Sequence, residues 1–323
     1  MEKKTIVILG TGGTIAGTAA SASDHIGYTA AQLGIAQLVA AISEMAAGPC
    51  DLMTEQLAQV DSKDMDFDLW TRLAERVSHH LAKADVQGIV ITHGTDTLEE
   101  TAWFLQALLA PVKPVVLTCA MRPATALAPD GPQNLLDAVA VAMHPGVGGV
   151  LAVCAGVVHG ALDVQKVHTY RLDAFSSGDA GPLAYVEQSG LRVLRNWPVA
   201  QISQAPRAIK NIAALQPGQH WPRVDIVMSH AGADGAVVRA LVADGVQGLV
   251  VAGTGNGSLH HALESALLQA QAAGVRVLRA TRCMEGRVLS KPGEALPDSQ
   301  GLSPVKARIS LLLALLGVPS LAD

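Results

Sequence analysis

The stretch from Gly88 to Thr101, Gly-Ile-Val-Ile-Thr-His-Gly-Thr-Asp-Thr-Leu-Glu-Glu-Thr, constrains the fold more than any other part of the sequence. Its apolar, β-branched run Ile89–Ile91 is typical of a strand buried on both faces of a parallel sheet. Asp96 and Thr97 are both suited to cap a following helix, because each has a glutamate three positions later. The stretch therefore predicts a strand, a turn and a helix in succession.

A second stretch repeats this order near the start of the chain. The apolar run Thr5–Leu9 is followed by a Gly-rich turn that contains Thr11 and Thr14. Because the carboxyl ends of parallel strands meet at one edge of a sheet, these hydroxyls are expected to face that of Thr95. In this turn, a hydroxyl and the helix N-terminus can bind an anion, while the Asp96 carboxylate beside them can bind a cation. An α-amino acid carries both charges.

Apolar runs and helical segments alternate along the rest of the chain. This alternation predicts right-handed crossovers in an α/β protein of two domains, each with a mostly parallel sheet flanked by helices. We predict strands at Thr5–Leu9, Asp51–Val60, Ile89–Ile91, Pro114–Thr118, Gly149–Val158, Val224–Met228, Gly248–Ala252 and Val275–Arg279. We predict helices at Thr29–Ala47, Asp66–Ala84, Thr97–Leu109, Gln133–Met143, Gly235–Ala243, Leu259–Ala273 and Pro304–Leu316.

Length and proline distribution predict where the domains divide. A chain of 323 residues is long enough for two domains. Periodicity fades between Ser189 and Trp221, where prolines accumulate. We therefore expect a large N-terminal domain at residues 1–190, a linker at 191–222 and a small C-terminal domain at 223–323.

Composition argues against several classes of partner. The chain is 50% hydrophobic but only 3% aromatic, which predicts an aliphatic core, and its formal net charge is −5 without a basic run. Nucleic acid and anionic membranes are therefore not expected as main partners, and no apolar run is long enough for a transmembrane helix. The four cysteines form no metal-binding pattern, and the N-terminal apolar run is too short for a secretion signal. We expect a cytoplasmic protein with reduced thiols, or a periplasmic one if a signal peptide has been removed.

The glycines of the turn Gly10–Thr14 admit a second interpretation, the phosphate-binding turn of a dinucleotide fold. That fingerprint needs another glycine where the chain has Ile15, and no acidic strand end follows at the required distance. The hydroxyls are therefore the stronger feature. A threonine becomes a nucleophile when a base accepts its proton, and the candidates for that base are Tyr28 and Lys166.

Two segments resemble the two signatures of bacterial-type L-asparaginases: Thr-Gly-Gly-Thr-Ile-Ala-Gly at 11–17 and Ile-Thr-His-Gly-Thr-Asp-Thr-Leu-Glu-Glu-Thr at 91–101. Further segments similar to the family lie at 120–123, 130–135, 255–258 and 303–308. The resemblance implies a large and a small α/β domain, usually assembled as a homotetramer from two dimers. It also implies hydrolysis of L-asparagine to L-aspartate and ammonia through an acyl-threonine, without metal or cofactor.

The resemblance implies catalytic roles for five residues. Thr14 would be the nucleophile, and Tyr28 would help to remove its proton. Thr95, Asp96 and Lys166 would form a second group of hydroxyl, carboxylate and cation. The cation would lower the cost of a nearby alkoxide.

The resemblance also implies the residues that bind the substrate, namely Ser62, Thr95, Asp96 and Ala120. Ser62 would hold the substrate carboxylate, Asp96 its ammonium group, and the backbone of Ala120 its side-chain amide. Lys63 departs from the family, where a neutral polar residue is common. We expect its side chain to point away from the substrate.

Two further segments are expected to complete the site. The segment Gly17–Tyr28 has small and polar residues without periodicity, which predicts a lid that is mobile when the site is empty. Some family members receive an acidic residue from the partner subunit. Because Gly293–Gly301 is short, that residue is hard to place, and the candidates are Glu285 and Glu294.

Three other functions stay open on the sequence. A broader glutaminase-asparaginase would accept a substrate longer by one methylene, which is worth only about 1–3 kcal/mol of discrimination. The ammonia-producing subunit of a tRNA-dependent amidotransferase would predict an extra N-terminal domain, whereas the first strand here begins at Thr5. A non-catalytic amino-acid-binding regulator is disfavoured by the complete set of catalytic residue types.

Overall fold

The computed structural model of the chain describes residues 4–42, 50–188, 190–198 and 221–318. The chain divides into two compact units, one from Met1 to Ile212 and the other from Ala213 to Asp323. Each unit has its own sheet with helices packed against it. The predicted α/β fold with a large and a small sheet is therefore confirmed.

The large unit is built on a mixed sheet. Its described strands are β1 (Lys4–Gly12), β2 (Cys50–Val60), β3 (Val86–Thr92), β4 (Val115–Thr118), β5 (Val150–Cys154), β6 (Val157–Gly160), β7 (Gln165–Lys166), β8 (Phe175–Ser176), β9 (Ala184–Glu187) and β10 (Gly190–Val193). Eight of these form one sheet in the order β10-β9-β6-β5-β4-β3-β1-β2, and β7 pairs with β8 separately. Strands β2, β1, β3, β4 and β5 are parallel, so their carboxyl ends lie along one edge.

Helices cover the central strands of this sheet. They are α1 (Ile35–Ala40), α2 (Phe67–Leu81), α3 (Leu98–Leu109) and α4 (Gly131–Met143). Helix α4 packs against β3, β4 and β5, while α2 contacts β3 and α3 contacts β5. The residues from Ile6 to Leu9 are fully buried, as are Val115 to Leu117. Burying one such aliphatic side chain contributes roughly 1.5–3 kcal/mol, so the core forms with few aromatic residues.

The antiparallel side of the sheet corrects one predicted strand. The run Gly149–Val158 is two strands, β5 and β6, which pair antiparallel on either side of Ala155 and Gly156. Both turn residues have positive φ angles, 51° and 74°. The prediction was wrong because one glycine is a weak turn signal inside an apolar run that otherwise matches a single buried strand.

The first predicted helix is shorter than expected. Helix α1 begins at Ile35 rather than at Thr29 and ends at Ala40, and residues 43–49 lie outside the described ranges. Thr29 does not cap this helix, because its backbone N–H and carbonyl pair with those of Thr18. Closure of a loop therefore overrides the local helix signal.

The small unit, from Ala213 to Asp323, has a sheet and helices of its own. Its described strands are β11 (Val224–Met228), β12 (Gly248–Gly253) and β13 (Arg276–Thr281), and its helices are α5 (Ala236–Ala243), α6 (His261–Ala272) and α7 (Pro304–Leu315). The strands are parallel in the order β11-β12-β13. Helix α7 packs against all three strands, and a cluster of Val, Leu and Ala forms the core with α5 and α6.

The predicted linker, residues 191–222, is described only at its ends. Its first residues belong to β10, which pairs with β9, so the sheet of the large unit extends further than expected. Residues 199–220 lie outside the described ranges. In the part of the chain that the structure describes, no helix is long and apolar enough to cross a membrane.

Candidate active site

Three strand ends meet at one edge of the large sheet, and two glycines allow them to approach. At Gly13, which follows β1 and has a φ of 82°, an added Cβ would lie 2.4 Å from the backbone of Gly94. At Gly94, which follows β3, an added Cβ would lie 2.5 Å from Oγ of Ser62, just beyond β2. A side chain at either position would force the turns apart.

The turn after β1 distinguishes its two threonines. Thr11 is buried, and its hydroxyl donates to the carbonyl of Thr92 at 2.8 Å. Oγ1 of Thr14 instead lies 2.6 Å from Oη of Tyr28. The sequence offers both hydroxyls as candidates, but that of Thr11 is used to hold β1 against β3. Thr14 is the one with a partner able to exchange a proton.

The segment that carries Tyr28 is a loop closed at its base. Thr18 and Thr29 form an antiparallel bridge with two backbone hydrogen bonds of 2.9 Å. The ring of Tyr28 lies against Gly17, where an added Cβ would be 2.9 Å from Cδ2. The bridge and this contact direct the phenol toward Thr14. The predicted mobility of the loop stays a prediction.

The turn after β3 carries a second hydroxyl with charged partners. Nζ of Lys166 lies 2.8 Å from Oγ1 of Thr95 and 2.6 Å from Oδ1 of Asp96. Lys166 belongs to β7, whose pairing with β8 fixes its backbone. Its side chain is 19% exposed and that of Asp96 is 51% exposed. Two adjacent residues and a lysine that is distant from them in sequence therefore form one hydroxyl–carboxylate–cation group.

Ser62 joins this group through two hydrogen bonds. Its Oγ accepts the N–H of Asp96 at 3.1 Å, and its carbonyl accepts the hydroxyl of Thr97 at 2.7 Å. These bonds correct the expected capping of α3. Thr97 occupies the N-cap position without a side-chain capping bond, and the Asp96 carboxylate faces Lys166 instead.

A buried histidine lies under the second turn, and the sequence gives it no role. Nδ1 of His93 is 2.7 Å from the carbonyl oxygen of Gly94, and Nε2 is 2.9 Å from Oγ1 of Thr101. The indole N–H of Trp70 donates to the same Thr101 oxygen at 2.9 Å. Burial lowers the pKa of His93 to about 4. The neutral ring thus donates through Nδ1 and accepts through Nε2, which fixes the backbone just before Thr95.

The turn after β4 brings Ala120 to the same edge of the sheet. Ala120 is fully buried. The carboxylate of Asp130 accepts the backbone N–H groups of Met121 and Arg122, each at 2.9 Å. The sequence marks this motif only through its resemblance to the family. The local signal in the sequence is that a glycine and a proline, two residues with special backbone preferences, directly follow the aspartate.

Comparison with known families agrees with this geometry. The family model described as the N-terminal domain of asparaginase matches residues 5–199. The model described as the glutaminase/asparaginase C-terminal domain matches residues 223–319. This chain belongs to the asparaginase family. The family resemblance expected from the two signatures is confirmed.

Individual relatives cover almost all of this asparaginase-family chain. L-asparaginase 2 of Bacillus subtilis is 38% identical over 97% of this chain and 84% of the relative. The glutaminase-asparaginase of Pseudomonas fluorescens biotype A is 35% identical over 98% of this chain and 88% of the relative. A crystal structure of a probable cytoplasmic L-asparaginase from Campylobacter jejuni is 36% identical, with a TM-score of 0.85, over 97% of this chain and 95% of that one.

The three other charged residues that the sequence singles out are paired or exposed. Nζ of Lys63 lies 2.6 Å from Oδ2 of Asp61, and the expectation that its side chain points away from the substrate stays a prediction. Glu294 is paired with Arg279, which lowers the pKa of its carboxyl, while Glu285 is exposed. Across the described ranges, no group of three or more His, Cys, Asp or Glu side chains is placed to hold a metal ion.

Proposed function

We propose that this asparaginase-family chain hydrolyses L-asparagine to L-aspartate and ammonia, with Thr14 as the nucleophile. The observation that carries the proposal is the difference between the partners of two threonines. Oγ1 of Thr14 lies 2.6 Å from the phenol of Tyr28, whereas Oγ1 of Thr95 lies 2.8 Å from the ammonium of Lys166. One hydroxyl has a partner that can pass a proton, and the other is bound to a charge.

In the proposed first step, Oγ1 of Thr14 attacks the carbon of the substrate carboxamide. Its proton passes to the oxygen of Tyr28, while the phenol proton of Tyr28 passes to the amide nitrogen. The C–N bond breaks, ammonia leaves, and an aspartyl ester of Thr14 remains. Backbone N–H groups at the Gly-rich turns are suited to the negative oxygen of the tetrahedral intermediate.

The group of Thr95, Asp96 and Lys166 would supply fixed charge to this step. A cation beside developing negative charge stabilises the transition state, and the low exposure of Lys166, 19%, limits screening by water. In the second step, water attacks the ester carbon. L-Aspartate leaves, and Oγ1 of Thr14 recovers a proton from that water.

Three residues are proposed to orient the substrate. Ser62 accepts the N–H of Asp96 through Oγ, so its own hydroxyl hydrogen can be donated to the substrate carboxylate. The Asp96 carboxylate is 51% exposed although it binds Lys166, so it can also accept the substrate ammonium group. The backbone of Ala120 would bind the carboxamide.

A second candidate is a broader glutaminase-asparaginase. The specific support is the 35% identity to the Pseudomonas fluorescens enzyme of that name. Glutamine is longer by one methylene, which changes binding by only about 1–3 kcal/mol. The same residues would then perform the same two steps on either amide.

Release of ammonia from asparagine and glutamine, measured in parallel with one enzyme preparation, tests the proposal. We expect turnover of asparagine, and the ratio of the two kcat/KM values distinguishes the two candidates. A folded protein that releases ammonia from neither amide would contradict both.

We propose that the enzyme is a homotetramer formed from two dimers and that it acts in the cytoplasm. The support is the family resemblance and the description of the Campylobacter jejuni relative as cytoplasmic. Each site would be complete only when a partner subunit is present. Sedimentation combined with activity tests this, because fully active monomers at nanomolar concentration would show that no partner is needed.

A further inference from the structure

The two peptide units on either side of Ala120 are each held by a side chain that the reaction scheme does not use. Nδ2 of Asn134 donates to the carbonyl of Cys119 at 2.9 Å, which fixes the peptide unit before Ala120. Oδ2 of Asp130 accepts the N–H of Met121 at 2.9 Å, which fixes the peptide unit after it. The backbone of Ala120 itself makes no hydrogen bond to any residue within the described ranges.

The orientation of Asp130 is unusual for its place in the fold. It occupies the N-cap position of α4, where an aspartate ordinarily accepts an N–H of its own helix and contributes about 1 kcal/mol. Here the side chain makes no capping bond. Both carboxylate oxygens instead bind N–H groups of residues 121–122. The carboxylate therefore serves the turn after β4 rather than its own helix.

Asn134 is fixed by hydrogen bonds at both ends of its amide. Its Nδ2 donates to the carbonyl of Cys119 and also lies 3.3 Å from Oδ2 of Asp130. Its Oδ1 accepts the N–H of Ala155 at 3.0 Å. The residue is 2% exposed. Ala155 begins the turn between β5 and β6 with a positive φ of 51°. Asn134 thus ties the turn after β4 to a second turn of the sheet.

We propose that Asp130 and Asn134 are positioning residues that aim and polarise the carbonyl of Ala120 toward the amide group that leaves as ammonia. The N–H of Met121 and the carbonyl of Ala120 belong to one peptide group, so a carboxylate bound to that N–H increases the negative charge on the carbonyl oxygen. This oxygen would accept a hydrogen bond from the carboxamide NH₂ of the substrate. The proposal rests on the proposed hydrolysis of asparagine.

A pair of substrates with the same acyl group separates this role from a structural one. L-Asparagine carries the N–H donor, whereas the β-methyl ester of L-aspartate has a methoxy group that cannot donate. In Asp130→Asn, we expect kcat/KM for asparagine to fall about tenfold more than kcat/KM for the ester, because one hydrogen bond to the leaving group is weakened. Asn134→Asp is the second variant, since it removes the donor to Cys119, and we expect the same direction.

Asp137→Asn is the matched control. Asp137 lies on the same helix, but its Oδ1 binds Gln133 rather than the turn after β4. We expect the amide-to-ester ratio of this variant to equal that of the wild type.

Two outcomes would overturn the proposal. One is an amide-to-ester ratio that equals the wild-type ratio in both variants, whether or not both rates fall. The other is failure of both variants to fold, which would make the motif structural. A wild-type protein that hydrolyses the ester but not asparagine would instead contradict the proposed function, so the two failures are distinguishable.

Discussion

The two threonine turns of the large sheet are alike in sequence and differ in what holds their hydroxyls. Thr14 faces the phenol of Tyr28, which belongs to a loop closed at its base by the bridge between Thr18 and Thr29. Thr95 faces Lys166, which belongs to the ribbon of β7 and β8. The comparison shows that two identical side chains at one sheet edge can have chemically different partners. A proton-exchanging partner suits a nucleophile, whereas a fixed cation suits a group that stabilises charge.

The two turns also differ in what lies beneath them. The Thr95 turn is supported by the buried chain of hydrogen bonds from Trp70 through Thr101 to His93. The Thr14 turn is supported by the Thr11 hydroxyl and by close contact between glycines. The Thr95 turn therefore rests on three buried side chains joined by hydrogen bonds, whereas the Thr14 turn rests on one side-chain hydrogen bond and a backbone contact.

The largest effect is expected from Thr14→Ala. The variant loses the attacking oxygen and little volume, so kcat should fall by roughly 10³-fold or more while the melting temperature stays close to that of the wild type. Thr11→Ala is the matched control, from the same turn. It should lower stability by about 0.5–1.5 kcal/mol, because the hydrogen bond to the Thr92 carbonyl is lost, and keep most of its activity. Substantial turnover by folded Thr14→Ala protein would refute the assignment.

The next largest effect is expected from Lys166→Met. The substitution keeps most of the volume but leaves Thr95 and Asp96 without their cation, so kcat should fall by roughly 10²–10³-fold. Lys63→Met removes an equally long cation that binds Asp61 instead, and it should change kcat by less than about threefold, as for most surface substitutions. Steady-state kinetics on both variants tests this prediction. An equal loss of kcat in the two variants would show that only the net charge matters.

A smaller loss is expected from Tyr28→Phe. Removing the phenol oxygen deprives Thr14 of its proton acceptor, and general acid–base groups contribute typically about 10²–10⁴-fold. We expect the lower end of that range, because a water molecule can replace the missing hydroxyl as proton acceptor. Tyr170→Phe is the control, because its hydroxyl is 3.3 Å from Nδ1 of His25 and does not reach Thr14. Similar kcat values for both variants would remove Tyr28 from the proposed reaction.

The smallest effect concerns stability in acid. Burial lowers the pKa of His93 from 6.5 to about 4. A histidine with a lowered folded-state pKa stabilises fully above its unfolded-state pKa, and this contribution is lost as pH falls from about 6.5 toward 4. Thermal unfolding at a series of pH values should show this loss in the wild type and a smaller one in His93→Gln. Identical pH profiles would show that His93 does not support the Thr95 turn in this way.

A separate group loses its contribution at lower pH. The guanidinium of Arg76 and the ring of His80 lower the pKa of Glu55 from 4.5 to about 2. Its stabilising contribution is therefore present above pH 4.5 and lost as pH falls toward 2. Above pH 4.5, the histidine under the Thr95 turn can therefore be studied without interference from this ion pair.

The sequence predicts most of the strands and helices because their signals are local. Helix α3 begins and ends within one residue of its predicted bounds, and β11 has the predicted bounds, Val224–Met228. The pairing of Thr95, Asp96 and Lys166 follows the expectation from the family resemblance. Their catalytic roles remain a prediction, because geometry alone does not measure a rate.

The remaining features depend on contacts between distant parts of the chain. Asp130 occupies the N-cap position of α4, but its carboxylate binds the turn after β4, which is close to it only in the folded chain. His80 is buried, and its Nε2 lies 2.8 Å from Oε2 of Glu55 on the edge strand β2. The helix signal after Thr29 is lost because the loop closes on Thr18. No local pattern specifies such contacts.

Identification of the residue that becomes acylated tests the central distinction between the two threonines most directly. Enzyme turning over asparagine would be quenched in acid, digested and examined by peptide mass spectrometry, with Thr14→Ala protein treated in parallel. The assignment predicts an aspartyl ester on Thr14 in the wild type and none in the variant. An ester on Thr95, or one that persists in Thr14→Ala, would contradict it.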